Sequence, residues 1–510
     1  MFAPTSLLTI PLELLEEIAF TATIMGSEGQ DPPMRSLAAL AQVDRRTYTR
    51  LSINHNKSLY AKLFRHFFDI GPLKRRLGPL VSNEWQAGEL RLRFQRMSRM
   101  RRMIGATTSS KSVPVVLDLL TFCYSMLLEN EGKNDQILLE YGWLDRWIDT
   151  YWFAANGYSG AVADVSRDEW PRSDLCNTFA MWVLWLVMRT NLFMTDDSKA
   201  IDIVKIYALG AHKYSPTLLR WGSFDATVEY TRNTSPAYLG VDLSPPPLMT
   251  AAILVFLAIV NRLAKSPGYN QLYETPVGPT LPKFDPTEWD ADWTRSVDRP
   301  LSLDVSIADV YRPGSVEGVW QGLFTYTEFT NYARLLAGAP PPTLLQSIVI
   351  RHRQTWKLRE YHLQISSDDT ARLSARAPVG TSLRSYLPRT VKTQEDDTGL
   401  TMTDASDRVY RYKRSTHIDK TLPLDSICDI IIIGDGHSSW GEFNLVGRIR
   451  PWDGFISLSK EYVEDGRGTW LYRGYLVGGG RGNFVGRWRD TLSPDHLVGY
   501  EGCFTMGRRQ

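Results

Sequence analysis

The sequence predicts a multidomain α+β fold, helical for its first two-thirds and closed at its C-terminus by an antiparallel β-barrel. Three observations carry this. The chain has 510 residues, too many for one hydrophobic core, and about three domains is the natural expectation. Apolar residues recur at helical spacing from the N-terminus to about Ala264. After Leu301 the pattern becomes short alternating segments separated by Gly, Asp and Pro, the pattern of antiparallel hairpins.

In the first part, Leu12, Leu15 and Ile18, then Leu37, Leu40 and Val43, mark apolar faces within Leu12–Phe20 and Met34–Leu51. Pro11 stands where a helix's first turn tolerates proline. Further helical segments are predicted at Val115–Leu128, Ile137–Trp152, Asp174–Met194 and Leu248–Ala264. No fixed-period repeat is present, so a regular solenoid is not expected. The Pro- and Asp-rich stretch Ser266–Pro300 reads as a linker or surface-laid loop. Strands are expected at Gly318–Thr327, Thr355–Ile365, Trp440–Arg450, Gly454–Ser459, Thr469–Val477, Phe484–Asp490 and Gly499–Met506. Gly322, Gly447, Gly474, Gly486 and Gly502 sit inside strands, where they permit the sharp bending that closure demands. Ser366–Ser415 is polar and reads as a long excursion. Trp320, Trp356, Trp440, Trp452, Trp470 and Trp488 are enough to fill a small barrel or line its mouth.

Composition excludes little but excludes usefully. A formal net charge of +2 gives no support for a nucleic-acid binder, which usually shows a strong basic excess. The four cysteines, Cys123, Cys176, Cys428 and Cys503, lack metal-ligand spacing, and a chain this long needs no disulfide staples. The start carries Glu13, Glu16 and Glu17 where a secretory signal would be apolar. The longest apolar runs, Phe179–Met188 and Leu248–Val260, fall short of the roughly 20 residues that cross a bilayer. The expectation is a cytoplasmic or nuclear protein bound to neither nucleic acid nor membrane.

Ile10-Pro11-Leu12-Glu13-Leu14-Leu15-Glu16-Glu17-Ile18, then Leu37-Ala38-Ala39-Leu40-Ala41-Gln42-Val43-Asp44-Arg45-Arg46, then Leu59-Tyr60 with Leu63-Phe64, resembles an F-box. The sequence has Ile10 in place of the usual leucine, Tyr48 in place of a tryptophan, and a longer loop over Met25–Met34. A helical hairpin of this size cannot bury both apolar faces alone, and the exposed one suits a helical partner. The resemblance implies that Pro11, Leu12, Leu15, Ile18, Leu37, Leu40 and Val43 bind a Skp1-like protein, and through it a cullin. Beyond the F-box, Leu127–Asn134, Trp440–Phe443, Gly447–Arg450 with Asp453-Gly454, and Gly486–Asp490 with Gly499–Gly502 resemble phrases of large fungal F-box proteins of the basidiomycete type. The barrel is more distantly similar to that of F-box-only proteins that read peptides. The domains expected are an F-box domain at 1–68, a helical domain with its linker at 69–300, and a β-barrel at 301–510.

Gly318-Val319-Trp320-Gln321-Gly322 resembles the first strand of lipocalin-like barrels, where a tryptophan plugs the closed end. Late strands pair arginines with aromatics. Alternate strand residues share a face, so Arg448 pairs with Arg450 and Arg487 with Arg489, beside Arg473 and Trp452. Such pairs suit a carboxylate or phosphate of a captured protein or peptide substrate, or form structural ion pairs with Asp453 and Asp490. Asp429–His437 lacks the helix N-terminus a dinucleotide loop needs and reads as a buried strand. Gly478–Gly482 reads as a hairpin turn, and Arg91–Arg102 as a solvated helix face or an acidic-partner site. No catalytic motif, metal set or cofactor loop is present. The function expected is a non-catalytic substrate adaptor of a ubiquitin ligase, the alternative being a barrel that binds a small molecule and has no ligase role.

Overall fold

The computed structural model describes residues 10–25, 34–105, 113–189, 197–215, 237–264, 285–297, 306–347, 349–365, 376–378, 387–388, 390–464 and 466–509. The loop expected over Met25–Met34 and most of Ser266–Pro300 lie outside them. The chain divides into two compact units, Met1–Thr107 with Ser125–Thr150, and Thr108–Tyr124 with Tyr151–Gln510. Among the described residues no helix is long and apolar enough to cross a membrane.

The first unit begins with α1 (Leu12–Met25), α2 (Arg35–Ala41), α3 (Arg45–Leu51) and α4 (Lys57–Phe67), followed by α5 (Gly71–Leu77) and α6 (Asn83–Met103). The helical pattern expected over Met34–Leu51 is broken at Asp44, whose carboxylate accepts the Arg46 and Thr47 amides at the start of α3, satisfying two orphan donors. Asn56 and Ser82 cap α4 and α6 in the same way. In α1, Leu15, Ala19 and Thr23 face inward at four-residue spacing. Asn56 donates to Glu16 at 2.9 Å and Arg50 to the Ile10 carbonyl at 2.7 Å, which fixes α1 against the other helices.

Then come α7 (Val113–Leu128), α8 (Asn134–Glu140) and α9 (Leu144–Phe153). The single helix expected over Ile137–Trp152 is two, because Trp143 adopts a left-handed φ of 55° between them. The Leu127–Asn134 phrase acquires a role. One oxygen of buried Asp69 accepts the amides of Glu131, Lys133 and Asn134 at 2.7, 3.0 and 3.1 Å, and the Asn134 side chain accepts the Asp69 amide. Arg93, far from being solvated with its neighbours on α6, is buried against Glu129 at 2.8 Å and Glu89 at 3.3 Å. Its guanidinium also lies over the Phe64 and Phe68 rings.

The second unit adds α10 (Ala161–Ser166), α11 (Leu175–Arg189) and α12 (Asp197–Leu209), a two-residue strand pair β1 (Ala237–Tyr238) and β2 (Val241–Asp242), and α13 (Leu248–Ala264). In the stretch expected to be linker, residues 290–296 form α14 (Asp290–Ser296), with Trp289 and Trp293 buried. Asp292 there accepts the Gly478 amide at 3.0 Å, so this part is packed core, driven by its two indoles. After α15 (Ile307–Val310) come β3 (Gly318–Thr327), α16 (Phe329–Leu336), α17 (Pro342–Gln346) and β4 (Val349–Gln364). An annex of β5 (Lys392–Glu395), β6 (Gly399–Thr403) and β7 (Val409–Arg414) follows within the polar excursion. The chain ends in β8 (Ile427–Ser438), β9 (Gly441–Ile449), β10 (Ile456–Tyr462), β11 (Thr469–Val477), β12 (Asn483–Asp490) and β13 (Glu501–Arg508).

Eight strands close an antiparallel barrel in the order β3-β13-β12-β11-β10-β9-β8-β4, with β4 returning to pair with β3. Pairing runs around the whole ring, with one register shift between Leu363 and Gln364 where β4 meets β8; Trp320 sits opposite Trp356 and Arg508 opposite Trp320. The fold is therefore multidomain α+β with a closed eight-stranded barrel, and the strand expected at Asp429–His437 is β8, buried mainly over its first half and exposed at Asp435 and His437.

Inward positions alternate large rings with glycine. Trp356 meets Tyr472, Phe484 and Phe504 at 5.4–5.9 Å, so this end is filled. Trp320 lies fully buried there, its indole donating to the Val316 carbonyl at 2.8 Å. Ile307, Tyr311 and Val316 pack beneath it. Buried Glu360 ties the segment down by accepting from the Tyr311 hydroxyl at 2.7 Å and the Gly314 amide at 2.6 Å. The inward glycines are spacers as well as bending points. A Cβ on Gly447 would lie 2.3 Å from both Leu458 Cδ2 and the Ser457 carbonyl. Gly447→Ala is expected to destabilise the barrel by about 1–3 kcal/mol through overpacking, read as a lower urea midpoint.

Candidate functional site: the barrel mouth

The arginines singled out in the late strands face outward, but they are not open to solvent. Arg448, Arg450, Arg473, Arg487 and Arg489 are each at most 3% exposed. Arg448 grips Asp429 with two bonds, at 2.8 and 2.5 Å, and donates to the Ala377 carbonyl. Arg450 grips Asp453 likewise, and the Tyr475 hydroxyl donates to the same carboxylate. Arg473 donates to Ser457 Oγ at 2.7 Å. Arg487 lies under α12 and α13, bonding the Tyr207 carbonyl and Met249 Sδ. Arg489 holds the carbonyls of Ser493, Pro494 and Leu497. Asp490 accepts the Ser493 and Tyr500 amides rather than an arginine. Trp452 is half-buried, 5.6 Å from the Arg450 guanidinium. A ligand carboxylate at these buried positions would have to displace a carboxylate, a hydroxyl or main-chain carbonyls already in place, so capture through these arginines is corrected to a structural role: they brace the barrel wall.

The opening lies on the inward face, at the end of the barrel opposite Trp320. A cavity of about 300 Å³ is lined by Phe324 and Tyr326 of β3, Lys460 and Tyr462 of β10, and Trp470 and Tyr472 of β11, with Trp488, Tyr500, Trp440 and Arg467 completing it. Local sequence sets each of these: on β10, Ile456, Leu458, Lys460 and Tyr462 share the inward phase, and Gly502 leaves the space that Trp488 fills. The rings meet edge to face, Trp488 against Trp470 at 5.3 Å and against Tyr500 at 5.6 Å, the favoured geometry for aromatic pairs.

Most polar atoms of this lining are already engaged. The Tyr326 hydroxyl pairs with His352 Nε2, and Tyr500 donates to the Thr327 carbonyl. Trp470 and Trp488 donate to the carbonyls of Arg467 and Thr325. Lys460 is different. It is 1% exposed, with one long hydrogen bond, 3.4 Å to Gln354 Oε1, and no carboxylate partner among the described residues. Its Nζ lies 3.8 Å from the Phe443 ring centre and 4.7 Å from that of Tyr462. Burial pushes its pKa down to about 7, because rings replace only part of an ammonium's hydration. Sequence reasoning passed over Lys460, although strand alternation from Ile456 and Leu458 places it inward.

In the first unit, Pro11, Leu12, Ile18 and Val43 are exposed, Leu40 is half-buried, and Leu15 and Leu37 are core. Leu14, 56% exposed, and Tyr48, 58% exposed, join the open group. Among the described residues no group of His, Cys, Asp and Glu could hold a metal ion. Burial pushes the Cys503 thiol up to about 11, away from a nucleophilic thiolate. No family model, curated protein or solved structure matches the chain.

Proposed function

We propose that the chain is a substrate-recognition adaptor of a Skp1–cullin–F-box ubiquitin ligase, working in the cytoplasm or nucleus. The N-terminal helices dock a Skp1-like protein, the barrel mouth captures the substrate, and ubiquitin transfer comes from subunits recruited through the cullin. One observation carries the reading. The F-box-like helices leave Leu12, Leu14, Ile18, Val43 and Tyr48 in solvent at 40–58% exposure, a set of large apolar side chains suited to burial by a helical partner. Leu15 and Leu37 act indirectly, by holding the helices that carry the docking residues. Purified full-length chain mixed with Skp1 is expected to elute as one complex in size-exclusion chromatography; separate elution at micromolar concentrations overturns the proposal.

A second reading is a small-molecule-binding barrel without a ligase role. The mouth cavity supports it, being apolar, ring-lined and at the lower end of the roughly 300–1,000 Å³ that ligand pockets span. Under this reading a ligand quenches the mouth tryptophans while Skp1 does not bind.

A further inference from the structure

A lysine at the floor of an aromatic pocket, without a carboxylate, needs a chemical explanation. A structural ammonium is normally paired or left in water. We infer that the barrel mouth is a carbonyl-capture site, in which Lys460 Nζ condenses reversibly with a small apolar aldehyde or ketone held between the aromatic walls. The inference rests on the mouth being a capture pocket.

The step balances without any further reactant. The Nζ lone pair attacks the carbonyl carbon and the π pair moves to oxygen. The resulting carbinolamine then loses water, the oxygen leaving with the two hydrogens of the amine, and a C=N bond remains. Three features of the mouth favour this step. The walls supply apolar contact for the body of the ligand, chiefly Trp470, Trp488 and Tyr326. Lys460 lacks an ion pair that would hold it protonated, and its lowered pKa leaves about half the amine neutral near pH 7. An exposed lysine is roughly a thousandfold less deprotonated there. The other ionisable groups about the mouth leave that state undisturbed. Tyr462 on the same strand and Tyr326 on β3 are held above their ordinary values by burial, as is Tyr472 on β11. His352 of β4 is held below its own, and Arg467 is paired with Glu464 at 2.8 Å.

An acidic ligand fits less well. A buried carboxylate wants several donors, yet the indoles of Trp470 and Trp488 already donate to main-chain carbonyls.

The test uses full-length protein with naphthaldehyde and cyanoborohydride at pH 7.5, followed by peptide mapping. One dominant adduct is expected, on Lys460, adding the aldehyde's mass less one oxygen and forming at least about tenfold faster than on any other lysine. Lys460→Met is expected to lose it. Naphthylmethanol, of the same shape but without a carbonyl, is expected to quench tryptophan fluorescence and to slow the labelling. Labelling spread over exposed lysines with Lys460 unmodified overturns the inference, and the wild-type map decides this even if the variant fails to fold. If naphthylmethanol still binds in that case, the capture pocket stands and only its carbonyl chemistry fails. If neither compound binds, both fail.

Discussion

Asp429→Ala is expected to cost about 3–5 kcal/mol, the loss associated with breaking a buried ion pair from one side. Asp429 is fully buried. Its carboxylate accepts two bonds from Arg448 and one from the Tyr412 hydroxyl at 2.5 Å, with Arg376 Nε 3.8 Å away. Alanine would leave a fully buried guanidinium without the carboxylate that compensates its charge, while its bond to the Ala377 carbonyl remains. Urea unfolding followed by barrel tryptophan fluorescence reads the loss. Asp429→Ala with Arg448→Met is expected to recover most of it, since removing both charges leaves none uncompensated. The pair also sets an acid limit. Burial alone would raise the Asp429 carboxyl, but Arg448, with Arg376 and Tyr412, holds it below its ordinary 3.8. A depressed folded-state pKa contributes stability that is complete above the unfolded value and disappears as pH falls through the folded one. Asp453, depressed by Arg450, adds in the same direction. The barrel's urea midpoint is therefore expected to fall below about pH 4 as these two carboxylates protonate.

Trp488→Ala is expected to destabilise the barrel by about 3–5 kcal/mol, as large aromatic truncations in cores do. The indole touches Phe324, Tyr326, Trp470 and Tyr500, with centroids 5.3–6.3 Å apart. Its N–H donates to the Thr325 carbonyl at 3.1 Å. The backbone across from it is cut to fit: a Cβ at Gly502 would stand 2.5 Å from the ring. The cavity left by alanine opens directly into the mouth, so ligand affinity is expected to fall together with stability. Unfolding and naphthylmethanol titration on the same preparation read both.

The barrel was legible because strand grammar is local. Gly318–Thr327 and Thr469–Val477 were bounded to the residue by their alternation and flanking glycines. Alternation also paired Arg448 with Arg450 and Arg487 with Arg489 on one face. It could not say what covers that face, because Tyr207 and Met249 are distant in sequence and Ala377 belongs to the polar excursion. The same gap hid Lys460: its inward phase was readable, but a charged residue among serines on β10 does not announce a buried mouth. Helix breaks failed for another reason. Apolar periodicity runs smoothly across Asp44 and Trp143, while capping by the one and a left-handed turn at the other interrupt the backbone. Position within the N-terminal helices was readable only in part. The apolar face was found, but whether Leu15 or Leu14 turns outward depends on which side α4 packs, and Leu15 is the buried one.

The adaptor reading turns most directly on calorimetric titration of Skp1 into the full-length chain, comparing wild type with Ile18→Asp/Val43→Asp. These two sites are 44% and 58% exposed, so the substitutions are expected to leave folding intact, as checked by unchanged tryptophan fluorescence and urea midpoint. A saturable one-to-one heat is expected for wild type, and a loss of at least about 100-fold in affinity for the double variant, because two apolar anchors that docking would bury become charges. No heat with wild type, or equal affinity in the two proteins, contradicts the adaptor reading.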